Sequence, residues 1–336
     1  MAAHVVRKAD LKKFINAVKK KNTFLGPVSR KGDVTLAVVG LDDELVLSYS
    51  NFKLPPKTLL FPKNELISTY DDNGMVEVLP SEGEVVIFGI RPCDALSLLH
   101  LDKVFLDEEF VDPYYQERRR NAVVVALACT EPMKTCYCTS VGGSPAGEEG
   151  ADVLAFDLQD ALLFEGCSEK GRAFMKTYAD YLQKPIKADL TSRNKISSEA
   201  LKKITPIDVS GLTDKLGKHF ESSLWEETAQ TCLGCGVCTF TCPTCHCFGL
   251  HDERYGQRGI RMRVHDSCMF PSYSLEASGH NPRNSNWERM RHRIMHKFYS
   301  TVKNIGETFC VGCGRCILNC PVNLDIRETV AEVLHE

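Results

Sequence analysis

Residues 232–243, CLGCGVCTFTCP, and residues 310–321, CVGCGRCILNCP, repeat one spacing, C-x2-C-x2-C-x3-C-P. Three thiolates at that interval wrap the backbone around one face of a four-iron cube, and the fourth, redirected by the proline, reaches a neighbouring cube. The spacing therefore predicts crossed ligation. Cys232, Cys235, Cys238 and Cys320 would hold one 4Fe–4S cluster, and Cys310, Cys313, Cys316 and Cys242 a second. Gly234, Gly236, Gly312 and Gly314 let peptide N–H groups approach the inorganic sulfurs. A single C-x2-C pair would favour zinc; eight cysteines in a doubled run leave zinc and disulfides the poorer accounts.

Between the runs lie 67 residues, 243–309, far more than a compact β-hairpin ferredoxin allows. The expectation for 211–336 is a mainly helical, two-cluster ferredoxin-like domain with the cysteine runs at helix ends. The insert is rich in positive charge: Arg258, Arg261, Arg263, Arg283, Arg289, Arg291, Arg293 and Lys297. These form either a solvated helix face or positive charge that docks an acidic partner or tunes the clusters. His265, His280, His292 and His296 read as packing or hydrogen-bonding residues, because eight thiolates already complete two cubes. Cys245, Cys247 and Cys268 lie near the first run or in the insert, and lining is the simpler reading for them.

Residues 1–210 read as an α/β domain. Asp10 is placed to cap LKKFINAVKKK, whose Leu11, Phe14, Ile15 and Val18 share one stripe. DVTLAVVG, ELVLSYS and TLLFPKNEL have strand character. EVVIFGI at 84–90 and NAVVVALA at 121–128 are apolar runs of buried-strand length, separated by a segment long enough for a helical crossover, so a parallel βαβ unit is expected. Cys93 and Cys129 then follow the carboxyl ends of neighbouring parallel strands, where α/β proteins place ligands. Cys136 and Cys138 lie in the loop behind Cys129. Four thiols at one crevice suit a third 4Fe–4S cluster, with zinc or redox-active free thiols as alternatives. Arg91, Asp94 and Arg118–Arg120 flank this region. From GLTDKLGKHF to Cys232 the pattern is helical.

Sixteen cysteines in 336 residues, with no export signal in MAAHVVRKADLKKF, point to a cytoplasmic metalloprotein rather than a disulfide scaffold. A net charge of −3 argues against bulk attraction to nucleic acid, and no apolar run is long enough for direct membrane insertion. Neither a GxGxxG loop nor a P-loop is present.

Several stretches together, GIRPCDALSLLHLDKVF, DPYYQERRRN, ACTEPMKTCYCTSVGGSP, CPTCHCF, DSCMFPSYSLEASGHNPR, RMRHRIMHKF and CVGCGRCILNCPVNLDIRE, resemble the beta subunit of cytosolic sulfhydrogenases and the dicluster electron-transfer subunit of anaerobic sulfite reductase. The resemblance implies an electron-transfer subunit of an oxidoreductase complex in anaerobic metabolism. Its partners would be a flavin subunit that meets NAD(P)H and a catalytic redox subunit of hydrogenase, sulfite reductase or heterodisulfide-reductase type. Flavin is expected on the partner, and no substrate chemistry on this chain. The alternative is a catalytic chain with a substrate or flavin site in the α/β crevice; an iron–sulfur regulator would need a nucleic-acid reader that the sequence lacks.

Overall fold

The computed structural model describes residues 3–80 and 83–336. The chain divides into two compact units that exchange segments. One comprises Met1–Pro56, Ser81–Pro206 and Val311–Cys313; the other comprises Lys57–Pro80, Ile207–Cys310 and Gly314–Glu336. Along the chain, β1 (Ala3–Arg7), β2 (Thr23–Arg30) and β3 (Asp33–Val38) precede a hairpin of β4 (Asn64–Asp71) and β5 (Gly74–Glu77). Four strands follow, β6 (Val85–Ile90), β7 (Ala122–Leu127), β8 (Val153–Asp157) and β9 (Ala161–Gly166), and then a second hairpin of β10 (Phe248–Tyr255) and β11 (Arg258–His265).

The first unit is built on a seven-stranded sheet in the order β1-β9-β8-β7-β6-β2-β3. Its centre is parallel: β6 pairs with β2 and β7, and β7 with β8. Val85–Ile90 and Ala122–Leu127 are apolar and almost wholly buried, as expected of parallel strands covered on both faces. Helices Pro92–Phe105 and Pro113–Asn121 make the crossover between them. Asp112 caps the second by accepting a hydrogen bond from Tyr115 N at 2.8 Å. The parallel βαβ expectation is thus met. At Gly89 the β6–β7 register shifts, with φ +86°, and a Cβ there would meet Pro27 at 2.8 Å. Only glycine fits this bulge, which redirects the chain as it leaves β6.

Several local expectations are corrected. The first helix runs Lys8–Lys19, so Asp10 lies inside its first turn, bonded to Lys13, rather than at the cap. Phe14 and Val18 are buried on the predicted stripe, with Leu11 and Ile15 packed beside them. ELVLSYS forms no strand. Its Leu45, Leu47 and Tyr49 pack on the core, but the carbonyls of Tyr49 and Ser50 accept from the Arg91 guanidinium instead of a neighbouring strand. TLLFPKNEL divides into a 3-10 turn, Pro56–Leu59, and the start of β4. The stretch before Cys232 holds two short helices, Leu212–Lys218 and Leu224–Thr228.

The second unit departs further from the mainly helical expectation. It contains helices, notably Asn286–Met295, capped by a reciprocal Ser285–Glu288 box, and Ile326–His335. It also contains a four-stranded antiparallel sheet, β10-β11-β4-β5, whose outer hairpin lies in the polar insert. Residues on both faces of β10 are exposed, so the stretch lacks the alternation that marks a half-buried strand. Its pairing is set by the turn at Gly256 and by β11 docking on β4, nearly two hundred residues away in sequence. Arg263 of β11 and Glu65 of β4, each 3% exposed, form a buried ion pair at that contact. Glu65→Ala would leave the guanidinium buried and uncompensated. The expected cost is about 3–5 kcal/mol, read as a lowered denaturation midpoint, whereas a near-neutral result would contradict the pairing.

Candidate metal centres

The first site lies wholly in the second unit. Cys232, Cys235, Cys238 and Cys320, drawn from both cysteine runs, line one cavity of about 40 Å³ together with Cys316 and Arg293. This is the crossed set that the spacing predicts. The volume exceeds the roughly 10–15 Å³ that one water requires, so the thiols ring a space instead of collapsing onto one another. Gly234 and Gly236 take the left-handed conformation, with φ +64° and +73°, which turns the backbone tightly between the ligand positions. The short helices Val237–Phe240 and Arg315–Leu318 carry the third cysteine of each run.

The charge in this cavity tests whether an iron–sulfur cube suits it. Arg293 is buried, and its Nε and Nη2 have no hydrogen-bond partner. Burial opposes its charge, but Cys238, Cys316, Cys245 and Cys242 outweigh that effect and hold its pKa well above the usual range. A buried guanidinium with unpartnered N–H groups calls for an anion, and a cube held by four thiolates is one. Burial pushes the Cys238 thiol up and Cys316 up to about 11, while Arg293 pulls both down; an iron that replaces the proton removes the burial penalty and keeps the negative charge that Arg293 faces. The donor set therefore fits the group.

Of the second predicted set, Cys242, Cys310 and Cys316 lie in the second unit, with Cys310 and Cys242 among the groups that act on Cys316. Lys297, only 4% exposed, donates to Cys242 Sγ at 3.2 Å and to the Phe309 carbonyl at 3.1 Å. Burial opposes its charge, yet Cys242, Cys245 and Cys310 raise its pKa overall. Cys313 belongs to the first unit, where the Cys136 thiol donates to its carbonyl at 3.6 Å.

The first unit brings Cys93, Cys129, Cys136 and Cys138 around a smaller cavity of about 20 Å³ at the carboxyl ends of β6 and β7. Arg91, 1% exposed, anchors its wall by donating to the carbonyls of Leu127 and Ala128 and stacking on Tyr49 at 3.9 Å. Desolvation raises the pKa of Cys129 and takes Cys138 up to about 12. Gly312 closes this site. Its carbonyl accepts from Tyr137 N at 2.9 Å, its φ is +60°, and a Cβ there would stand 2.5 Å from Cys138 N. Gly312→Ala must displace the Cys138 backbone; the expected cost exceeds about 2 kcal/mol, measurable by thermal unfolding.

Two of the flanking charges that the sequence placed near the crevice are engaged in ion pairs instead. Arg119 pairs with Asp102 at 3.1 Å, and Arg120 with Glu117, both around helix Pro113–Asn121. Asn51, whose amide reaches Cys93 Sγ at 3.9 Å, was not foreseen, because its segment reads only as a connection. Lys57 was missed for the same reason: it is 2% exposed, and its ammonium donates to the Cys245 carbonyl. His265 bonds the Phe61 carbonyl at 3.0 Å, and His292 stacks on His296 at 5.9 Å. Burial lowers all three imidazole pKa values, to about 4 for His265 and His292 and to about 3 for His296, so these rings are neutral packing groups. Burial likewise takes Cys167 up to about 11, and its thiol donates to the Glu165 carbonyl.

Residues 231–324 match the family model of a 4Fe–4S dicluster domain. Sulfhydrogenase 2 subunit beta of Pyrococcus furiosus is 34% identical over 322 residues, which cover 95% of this chain and 95% of the relative. The chain belongs to the sulfhydrogenase beta-subunit family. As a member of that family with a dicluster domain, it is an iron–sulfur protein of electron transport, with a mixed α/β fold containing parallel strands ahead of the cluster-binding region. The family name describes a subunit, so partner chains are implied. Among the described residues, no helix is long and apolar enough to cross a membrane.

Proposed function

We propose that this chain relays single electrons between a flavin subunit that meets NAD(P)H and a catalytic redox subunit, in a cytoplasmic oxidoreductase complex. The observation that carries the reading is the convergence of Cys232, Cys235, Cys238 and Cys320, from runs nearly eighty residues apart, on one cavity walled by Arg293. In this reading those four hold one 4Fe–4S cluster; Cys310, Cys313, Cys316 and Cys242 hold a second; Cys93, Cys129, Cys136 and Cys138 hold a third. A 4Fe–4S cluster, when bound, exchanges one electron at a time.

The chain's own part is to hold and bias. Thiolates fix each group and staple distant segments. Arg293 and Lys297 supply buried positive charge, which favours the more reduced state of an anionic group beside them. Met269 and Met290 give the first cavity part of an apolar wall. The α/β crevice is lined by four thiols, and the sequence offers neither a GxGxxG loop nor a P-loop to cradle a phosphate, which weighs against a flavin nucleotide there.

Iron and acid-labile sulfide analysis of anaerobically prepared chain tests the ligand assignment. About 12 irons per chain support three cubes, about 8 restrict them to the dicluster domain, and colourless protein containing zinc would overturn the reading. Chain that bound flavin or reduced a substrate from an artificial donor would support a catalytic role instead.

A further inference from the structure

Three thiols outside the twelve proposed ligands are gathered in the second unit: Cys245, Cys247 and Cys268. The β10–β11 register explains how two of them meet. Phe248 pairs with His265, so the chain just before β10 runs beside the chain just after β11, and Asp266 N donates to the Cys247 carbonyl at 3.0 Å. Cys268 follows two residues later. Its backbone is held by a buried turn in which Met269 N donates to Ser267 Oγ at 3.1 Å, and its side chain is 5% exposed. The Cys247 and Cys268 thiols lie within hydrogen-bonding reach of one another, and the Tyr273 hydroxyl also reaches Cys247.

We propose that Cys247 and Cys268 form a redox-active dithiol, a two-electron couple that exchanges with small disulfides and needs no iron. The two positions are chemically unequal, as such a pair requires. Cys247 is partly exposed, and its hydrogen bonds to Cys268 and Tyr273 favour its thiolate over the protonated form. Cys268 is buried, and the same contact with Cys247, followed by burial, pushes its pKa up. Cys247, the more accessible of the two, is thus the attacking thiol and the buried Cys268 the resolving one.

In the oxidising direction Cys247 Sγ attacks one sulfur of an external disulfide, whose S–S bond breaks to release one thiolate. Cys268, losing its proton to solvent, then attacks Cys247 Sγ and expels the second thiolate. Two cysteine thiols are oxidised to one disulfide while the external disulfide is reduced to two thiols. The reverse sequence balances equally.

The test uses the full chain, prepared anaerobically and equilibrated in mixtures of reduced and oxidised dithiothreitol. It is then quenched with an alkylating agent and digested for mass spectrometry. The expected product of the oxidising mixtures is a cross-linked peptide pair joining Cys247 to Cys268, about 2 Da lighter than the reduced pair and recovered as two alkylated peptides after reduction. Cys247→Ser and Cys268→Ser should each abolish it, Cys245→Ser should retain it, and the Cys247→Ser, Cys268→Ser double variant should keep the parent iron and sulfide content. Full alkylation of both thiols in every mixture at which iron stays bound would overturn the proposal, and so would loss of iron from the double variant, since the two would then be ligands. The couple does not depend on the electron-relay reading: chain lacking iron altogether would defeat that reading, whereas intact iron without a cross-link defeats this one.

Discussion

Cys235→Ala is expected to lose about four irons per chain and to stop electron transfer through the complex. Cys235 is exposed, so truncating it removes little packing. Its loss acts through the cluster, which in the proposed assignment ties Cys232 and Cys238 to Cys320 across the chain. Because metal binding and folding are coupled, the second unit should also unfold at a lower denaturant concentration. Iron analysis, electron paramagnetic resonance of the reduced protein and turnover of the assembled complex read the three effects separately. Full iron content and normal turnover in this variant would sink the assignment, whereas an equal loss in a Leu233→Ala control would point to general fragility of the loop.

Arg293→Met should have the second large effect, for an electrostatic reason. The guanidinium is buried among Cys238, Cys316, Cys245 and Cys242 and has unpartnered N–H groups. Removing one member of a buried, compensated charge group costs about 3–5 kcal/mol, and the negative charge left behind resists a further electron. The expected outcome is a less stable protein whose first reduction potential moves to more negative values. Arg293→Lys, which keeps the charge, should recover much of the potential but not the packing. Arg261, whose contact with Asp252 is solvent-exposed, provides the control: Arg261→Ala should leave the denaturation midpoint and the potentials unchanged. Unchanged potentials in Arg293→Met would remove the tuning role.

The sequence was most legible where chemistry is local. A C-x2-C-x2-C-x3-C-P run restricts its own backbone, so the proposed ligand positions follow from spacing alone, and the parallel strands follow from apolar runs that can only be buried. It was least legible in the insert. Ile260, Met262 and Val264 do alternate with Arg261, Arg263 and His265, a strand pattern, but residues 251–254 carry no apolar face, and the pairing of 259–264 with residues 64–70 is a contact with no local signature. ELVLSYS failed in the opposite sense: its pattern suits a strand, but Arg91 claims the carbonyls that a neighbour would need. Lys57, Asn51 and the meeting of Cys247 with Cys268 have the same origin, since each depends on which distant segment arrives alongside.

By itself, then, the sequence determined the doubled cysteine spacing, from which the proposed crossed sets follow, and the placement of Cys93 and Cys129 at one sheet edge, because thiolate geometry and strand burial are short-range constraints. Tertiary structure alone decided that the charge of Arg293 and Lys297 is spent among thiols instead of on a solvated face. It also decided that residues 57–80 and 311–313 leave their sequence neighbours for the other unit. Such choices rest on the desolvation of charge and the pairing of remote strands, and both are set by what surrounds a residue in space.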